Sequence, residues 1–492
     1  MSTAPNNDVP APAGPPANGT APPNGSPPPA FPDHPNWATA QRVAVGAAGV
    51  GLGVYLVAGL INLFSAHGEH EQAAKGQFFL SWTVGFVYWM SLPVGAMAML
   101  FIHYLAKTSW GLLLKRFFEA SVRTLPLMFV LFIPVAVGAS LHGISPYWWT
   151  DPDERMITDE MRAAQDRYDT FLEHQARGQP ARLDANTGSL VMQKRAIERE
   201  LEERKEGTFG FLSPPMFVVL SVLYFVIWGV FIYFLNKWGN AADDDPAQVE
   251  PSLEKAKNLS GPGLIMFAIV GTAAASHWVM SLETSWASTM FPVVYSVNQM
   301  LCALAFGVAC FMTLVVSGPP VYAKIIRTKF KIDMGSLLLA LTLFWSYTSF
   351  SQLMLVWIGN LPEEIPFFLK RSMPTYGGWW CVSLFLILFH FAFPFVVLLF
   401  RDVKNHPKRL RAMALYLLVV CAVDVAWWLE PAVPHEGQPL FWVMDIGALV
   451  GIGGLWGVFF IYQVKKRRLL PVNELYMLPE DHDHAENNHE HH

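Results

Sequence analysis

Apolar residues run through this chain in blocks too long for a soluble fold. Ten segments of roughly 20 predominantly apolar residues, the length a helix needs to cross a bilayer, fall at approximately 43–64, 78–104, 124–142, 212–235, 262–283, 291–316, 335–358, 379–400, 411–430 and 440–463. They predict an all-α integral membrane fold of ten transmembrane helices. Pro93, Pro134, Pro394 and Gly447 lie inside these blocks, and membrane helices tolerate such residues better than soluble ones. The ten-helix domain spans 41–465. Residues 1–40 form a Pro-rich stretch with no basic n-region or apolar h-region of a signal peptide, and read as a disordered, polyproline-like cytoplasmic tail. Residues 466–492 read as a cytoplasmic acidic, His-rich tail ending HDHAENNHEHH.

The polar segments between blocks sort by charge. Lys107, Lys115, Arg116 and Arg123, then Lys237, Lys255 and Lys257, then Lys324, Arg327, Lys329 and Lys331, then Arg401, Lys404, Lys408 and Arg409, then Lys465–Arg468 all fall on one side. The short loops of the other side hold only Lys75, Lys370 and Arg371. The positive-inside rule then predicts a multi-pass protein with both termini cytoplasmic. One long segment, 143–211, falls on the periplasmic side. It opens HGISPYWWTDPDE and ends QKRAIERELEERKEG, a charged helical pattern suited to docking an extrinsic partner. Aromatics such as Trp148, Trp149, Trp286, Trp357 and Trp442 crowd the same side as an interfacial belt.

Composition agrees: 53% of residues are hydrophobic and 15% charged, against about a quarter charged in soluble domains. A net charge of −5 gives no footprint for nucleic acid. Cys302, Cys310, Cys381 and Cys421 all sit in apolar blocks, with no C-x-x-C or C-x-x-C-H, so the chain shows no sign of its own iron–sulfur cluster or c-type haem. No H-E-x-x-H, P-loop or nucleophile-elbow triad is present. GVGLG at 49–53 lies within the first span and reads as helix-packing glycine. His67 and His70 lack further ligands, so no metal site is expected.

The fifth and ninth blocks end alike. SHWVMSLET at 276–284 aligns with VDVAWWLEP at 423–431, setting Glu283 against Glu430 and His277 against Asp424. Four spans separate them, so the repeat is parallel. Spans two to five and six to nine then form two tandem four-helix bundles, with the first and tenth spans peripheral. Asp445 lies just inside the tenth span, His390 near the middle of the eighth, and His142 at the end of the third. Acids and histidines in a membrane are expensive and mark proton relays or ion sites. Asp424, His277, Glu283, Glu430, His390 and Asp445 are therefore candidate proton-pathway residues. Gln352, Asn298, Gln299 and the many Ser and Thr read as interhelical hydrogen bonders.

Four stretches carry a resemblance: LHGISPYWW at 141–149, HWVMSLETSWASTMFPVVY at 277–295, FWSYTSFSQLMLVWIGNLPEEIPFFLKR at 344–371 and FHFAFPFVVLLFRDVK at 389–404. With the spans they cover most of 40–470. The chain resembles the NrfD-like, polysulfide-reductase-type membrane subunits. It looks most like the second large membrane subunit of bacterial alternative complex III, the quinol:cytochrome c (or high-potential iron–sulfur protein) oxidoreductase. WIGNLPEEIPFF is the most specific signal. The resemblance implies a hetero-oligomeric respiratory complex in the lipid bilayer. Its partners would be a homologous membrane subunit, a periplasmic iron–sulfur subunit and haem c subunits. It implies polar files that carry protons, and a quinol or menaquinol site on one of the two homologous subunits. In this sequence His142 and Asp424 stand in positions suited to such a site, and no redox cofactor is expected on this chain. Two other readings fit the spans: a proton-coupled secondary transporter, and a passive membrane anchor.

Overall fold

The computed structural model of the chain describes residues 37–66, 70–150, 159–177, 211–283, 286–360, 364–374, 378–435 and 438–475, with single positions 187, 191 and 195. The Pro-rich stretch before 37, His67, nearly all of QKRAIERELEERKEG, residues 361–363 of the WIGNLPEEIPFF motif and the histidine-rich stretch after 475 lie outside the described residues.

Among the described residues, every regular element is helical. In chain order they are α1 (Trp37–Ser65), α2 (His70–Ala106), α3 (Ser109–Val122), α4 (Leu125–Gly138), α5 (Asp159–Ala176), α6 (Pro214–Asp244) and α7 (Val249–Trp278). Then come α8 (Phe291–Ser317), α9 (Pro320–Ile325), α10 (Thr328–Gly359), α11 (Ile365–Ser372), α12 (Trp379–Leu399), α13 (Arg401–Asn405), α14 (Pro407–Leu429), α15 (Phe441–Lys465) and α16 (Val472–Leu475). Nine are long and apolar enough to cross a membrane; α3 and α4 together make a tenth candidate, bent by 44° between Val122 and Leu125. An all-α membrane protein is thus what the structure shows.

Several helices outrun their apolar blocks. Helix α2 begins at 70 rather than 78, α7 at 249 rather than 262 and α10 at 328 rather than 335, because backbone hydrogen bonding continues through polar turns that hydropathy leaves out. The block at 124–142 behaves oppositely. Its helix α4 has 14 residues, about 21 Å, too short to span alone.

Helix α2 is the hub. In its most apolar window 89% of residues are buried, against 28% in α1. It packs on α3, α4, α7, α8 and α15, while α8 packs on α2, α7, α10 and α14. Further pairs are α6 with α7, α4 with α6, α10 with α12 and α12 with α14. Helix α1 packs chiefly on α15, backbone against backbone. A Cβ on Gly51 would meet the Gly451 nitrogen at 2.2 Å, and one on Gly454 the Ala48 nitrogen at 2.1 Å. Small residues permit that approach. Of the GVGLG glycines only Gly51 serves it; Gly49 and Gly53 face open space.

Lys115, Arg116 and Arg123, which read as loop cations, belong to a helix and turn that are largely buried. Lys115 pairs with Glu474, Arg116 with Glu119 at 2.7 Å and with Asp243, and Arg467 with Asp243 at 2.6 Å. The network ties α3 to the end of α6 and to the segment after α15. Of these pairs only Arg116–Glu119 is local; the partners Asp243, Arg467 and Glu474 lie more than a hundred residues away along the chain.

Candidate functional site

The chain alternates between two ends, named here by the helices that mark them: the α3 end and the α11 end. The polar residues of interest fall toward the α11 end, on α7, α12, α14 and α15. Each helix gives way to one 3-10 turn, Met280–Leu282 after α7 and Glu430–Ala432 after α14, but the turns fall three residues apart in the alignment. Glu283 therefore follows its turn, whereas Glu430 opens its own.

On α14, Asp424 is buried, and its Oδ2 accepts hydrogen bonds from Asn298 Nδ2 of α8 and Trp345 Nε1 of α10, both at 2.8 Å. Both donors are neutral. His390 of α12 stacks on Trp345, ring centroids 3.8 Å apart, with Nδ1 3.9 Å from Asp424 Oδ2. That is too long for a hydrogen bond and one small ring movement from it. His390 Nε2 lies 3.8 Å from Cys421 Sγ, and Cys302 Sγ reaches Asn298 Oδ1 at 3.5 Å. His390 sits inside a π-helical stretch, Leu386–Ala392; such stretches are rare and recur at functional sites.

Six residues along, Glu430 is fully buried. Gln77 Nε2 of α2 donates to Glu430 Oε2 at 2.7 Å and contacts Ser81 Oγ at 3.1 Å, and Ser81 in turn bonds Asp445 of α15. Gln77 and Ser81 thus join the Glu430 and Asp445 carboxyls in one hydrogen-bonded chain. Among the described residues no Lys or Arg pairs with either. The nearest base is His435, Nε2 3.9 Å from Glu430 Oε2, its ring stacked on Phe441 at 3.9 Å. Burial pushes the His435 imidazole down to about 4, partly offset by its contact with Glu430, so it is neutral at physiological pH. Two carboxyls without a cation, linked by a hydroxyl and an amide, can hold and exchange a proton.

The α7 end differs. His277 donates from Nε2 to the Phe211 carbonyl at 2.9 Å and accepts at Nδ1 from Tyr224 Oη at 3.1 Å. Phe211, Phe217 and Tyr224 surround the ring, so both nitrogens are already occupied. Glu283 lies in a buried ion pair: Oε1 takes Arg371 Nη2 at 2.9 Å and Oε2 takes Lys370 Nζ at 2.7 Å. Arg371 is fully buried and also donates to the carbonyls of Trp427, Trp428 and Phe367 at 3.0, 2.9 and 2.8 Å. Burial alone would raise the Glu283 carboxyl, but Arg371 and Lys370 outweigh it and hold the group below its usual range. Glu283 is a fixed anion in a clasp joining the α7 end, α11 and the α14 end.

The structure therefore brings Asp424 together with His390, and Glu430 with Asp445, and leaves His277 and Glu283 in separate, satisfied settings. His142 is exposed on the turn after α4, whereas Asp424 is buried and accepts from Asn298 and Trp345. Beside that turn, an apolar cavity of about 320 Å³ opens between α4 and α6, lined by residues including Phe129, Ile133, Leu141 and Val222. Sequence reasoning missed Trp345 and His435 as site residues and set Asn298 aside as packing. An indole facing an acid has no sequence signal, whereas His435, five residues past Glu430, was visible. Among the described residues, no group of three or more His, Cys, Asp or Glu is arranged to hold a metal ion.

No protein-family model matches the chain, and no curated protein is significantly similar to it.

Proposed function

We propose that the chain is a membrane subunit of a quinol:cytochrome c (or high-potential iron–sulfur protein) oxidoreductase of the alternative complex III type, and that its second half carries a proton pathway. On this reading it has ten spans, with α3 and α4 counted as one. The bundles are α2, α4, α6, α7 and α8, α10, α12, α14, with α1 and α15 outside; the pairwise packing of these helices supports that grouping. The NrfD-like motifs support the family, and with it the bacterial inner membrane; the asymmetry of basic residues supports cytoplasmic termini. The partners are a homologous membrane subunit, a periplasmic iron–sulfur subunit and haem c subunits, which carry the redox centres. Quinol would meet this chain at the apolar cavity of the first bundle, whose lining suits an alkyl tail.

One observation carries the proton reading. Asp424 with His390, and Glu430 with Asp445, are two buried acid stations on or beside one helix, and among the described residues no Lys or Arg neutralises either. Buried ionisable groups in a membrane are retained for transport of charge more often than for packing. The test is Asp424→Asn in the assembled complex, comparing quinol:cytochrome c turnover with membrane-potential generation in proteoliposomes. Turnover that survives while charge movement falls supports the pathway. If both are unchanged, Asp424 is a packing residue and the pathway reading fails. Purification separates the rivals: co-purifying haem c and iron–sulfur subunits argue against a free-standing transporter, and intact charge movement in Asp424→Asn leaves a passive anchor.

A further inference from the structure

His390 owes its position to a register shift in α12, and the cause of that shift is legible. In an α-helix each amide donates to the carbonyl four residues back. Pro394 has no amide hydrogen, and its ring crowds the carbonyl four residues back, that of His390. Between Leu386 and Ala392 the helix widens, and the Phe393 amide donates to the Leu388 carbonyl, five residues back. The next bond in that register would join residue 394 to the Phe389 carbonyl, and Pro394 cannot donate it. Tyr416 of α14 supplies the missing donor: its hydroxyl donates to the Phe389 carbonyl at 2.6 Å. The Tyr416 ring is braced edge-on by Phe393 at 5.1 Å. The widened turn leaves His390 fully buried against Trp345, 3.9 Å from Asp424.

We propose that Pro394 and Tyr416 together lock α12 in the register that seats His390 beside Asp424, and that Tyr416 is a positioning residue for this pair. The proposal gives the proton-pathway reading its local device and rests on that reading only for its functional meaning. The groups that face the pair are Cys421 from α14, Asn298 and Cys302 from α8, and Trp345 from α10. Tyr416 itself touches neither ring nor carboxyl in the hydrogen bonds described, so its effect passes through the backbone.

The test uses the full chain in lipid nanodiscs with two readouts: amide hydrogen exchange across 386–396, and the infrared C=O band of the Asp424 carboxyl, assigned by subtracting the Asp424→Asn spectrum. Tyr416→Phe keeps the ring and strands the Phe389 carbonyl. Loss of one hydrogen bond, about 1 kcal/mol, raises exchange about fivefold and shifts the Asp424 band. Pro394→Ala restores an amide donor, so exchange falls below that of the parent while the band still shifts. Tyr347→Phe, on the exposed face of α10, changes neither readout. The proposal is overturned if Tyr416→Phe leaves exchange and band as in the parent, or if Pro394→Ala leaves the band in place. Neither readout needs proton movement. If both variants shift the band while Asp424→Asn leaves charge movement intact, the positioning role stands and the pathway reading falls.

Discussion

Glu283 and Glu430 occupy aligned places near the ends of α7 and α14, yet one is clasped by two cations and the other, among the described residues, pairs with no Lys or Arg and accepts from the neutral Gln77. Their partners one and a half turns deeper differ in the same sense. His277 has both ring nitrogens engaged, whereas Asp424 faces a histidine just beyond hydrogen-bond range. The two aligned segments thus hold their ionisable groups in different settings. The first ties its carboxylate to two cations across helix ends; in the second, among the described residues, no Lys or Arg pairs with Asp424 or Glu430. Position in the membrane is therefore not what makes an acid a candidate for proton transfer. The absence of a committed partner is.

The largest effect follows from opening the clasp. Arg371→Ala leaves the buried Glu283 carboxylate with Lys370 alone and removes the donor shared by three carbonyls on two elements. Removing one partner of a buried pair costs about 3–5 kcal/mol. The purified protein should melt well below its parent in detergent, and an unchanged melting temperature would mean that the clasp is ornamental. A sharper form of the comparison sets Glu283→Gln beside Glu430→Gln. The first leaves Arg371 buried without its counter-charge and should cost about 2 kcal/mol. The second keeps an acceptor for Gln77 and removes no ion pair, so its cost should stay within about 1 kcal/mol. Equal losses in the two variants would erase the distinction drawn between the repeats.

The long apolar helices were legible in the sequence because a bilayer demands some twenty apolar residues per crossing. What escaped is what depends on helices meeting. Arg371 read as one of few cations in its set of loops, and only packing reveals that it is buried against Glu283. Helix α3 was read as a charged loop, since Lys115 and Arg116 find their acids on α6 and beyond α15. Asn298 looked like any interhelical amide until Asp424 and Trp345 arrived from other helices. The widened turn of α12 lay between these cases: Pro394 four residues after His390 was in plain view, but the donor that completes it, Tyr416, stands on another helix.

A pH dependence carries the comparison of the two ends further. At the α14 end, His435 is held neutral by burial, its value lowered to about 4 from an ordinary imidazole near 6.5. Between those values the unfolded chain binds a proton that the folded chain refuses, so stability falls as pH drops through that window. At the α7 end the Glu283 carboxyl is held below its usual range. The clasp's contribution is complete above the ordinary carboxylate value of about 4.3 and is lost only as pH falls further, through the depressed one. Melting temperatures of the parent and His435→Gln from pH 7 to 4.5 separate the two. The variant should decline less steeply than its parent across this range, while both keep the same steeper fall in more acidic buffer. If His435→Gln declines in parallel with its parent, the loop histidine is not the group that titrates there, and the α14 end is no more responsive to protons than its clasped counterpart.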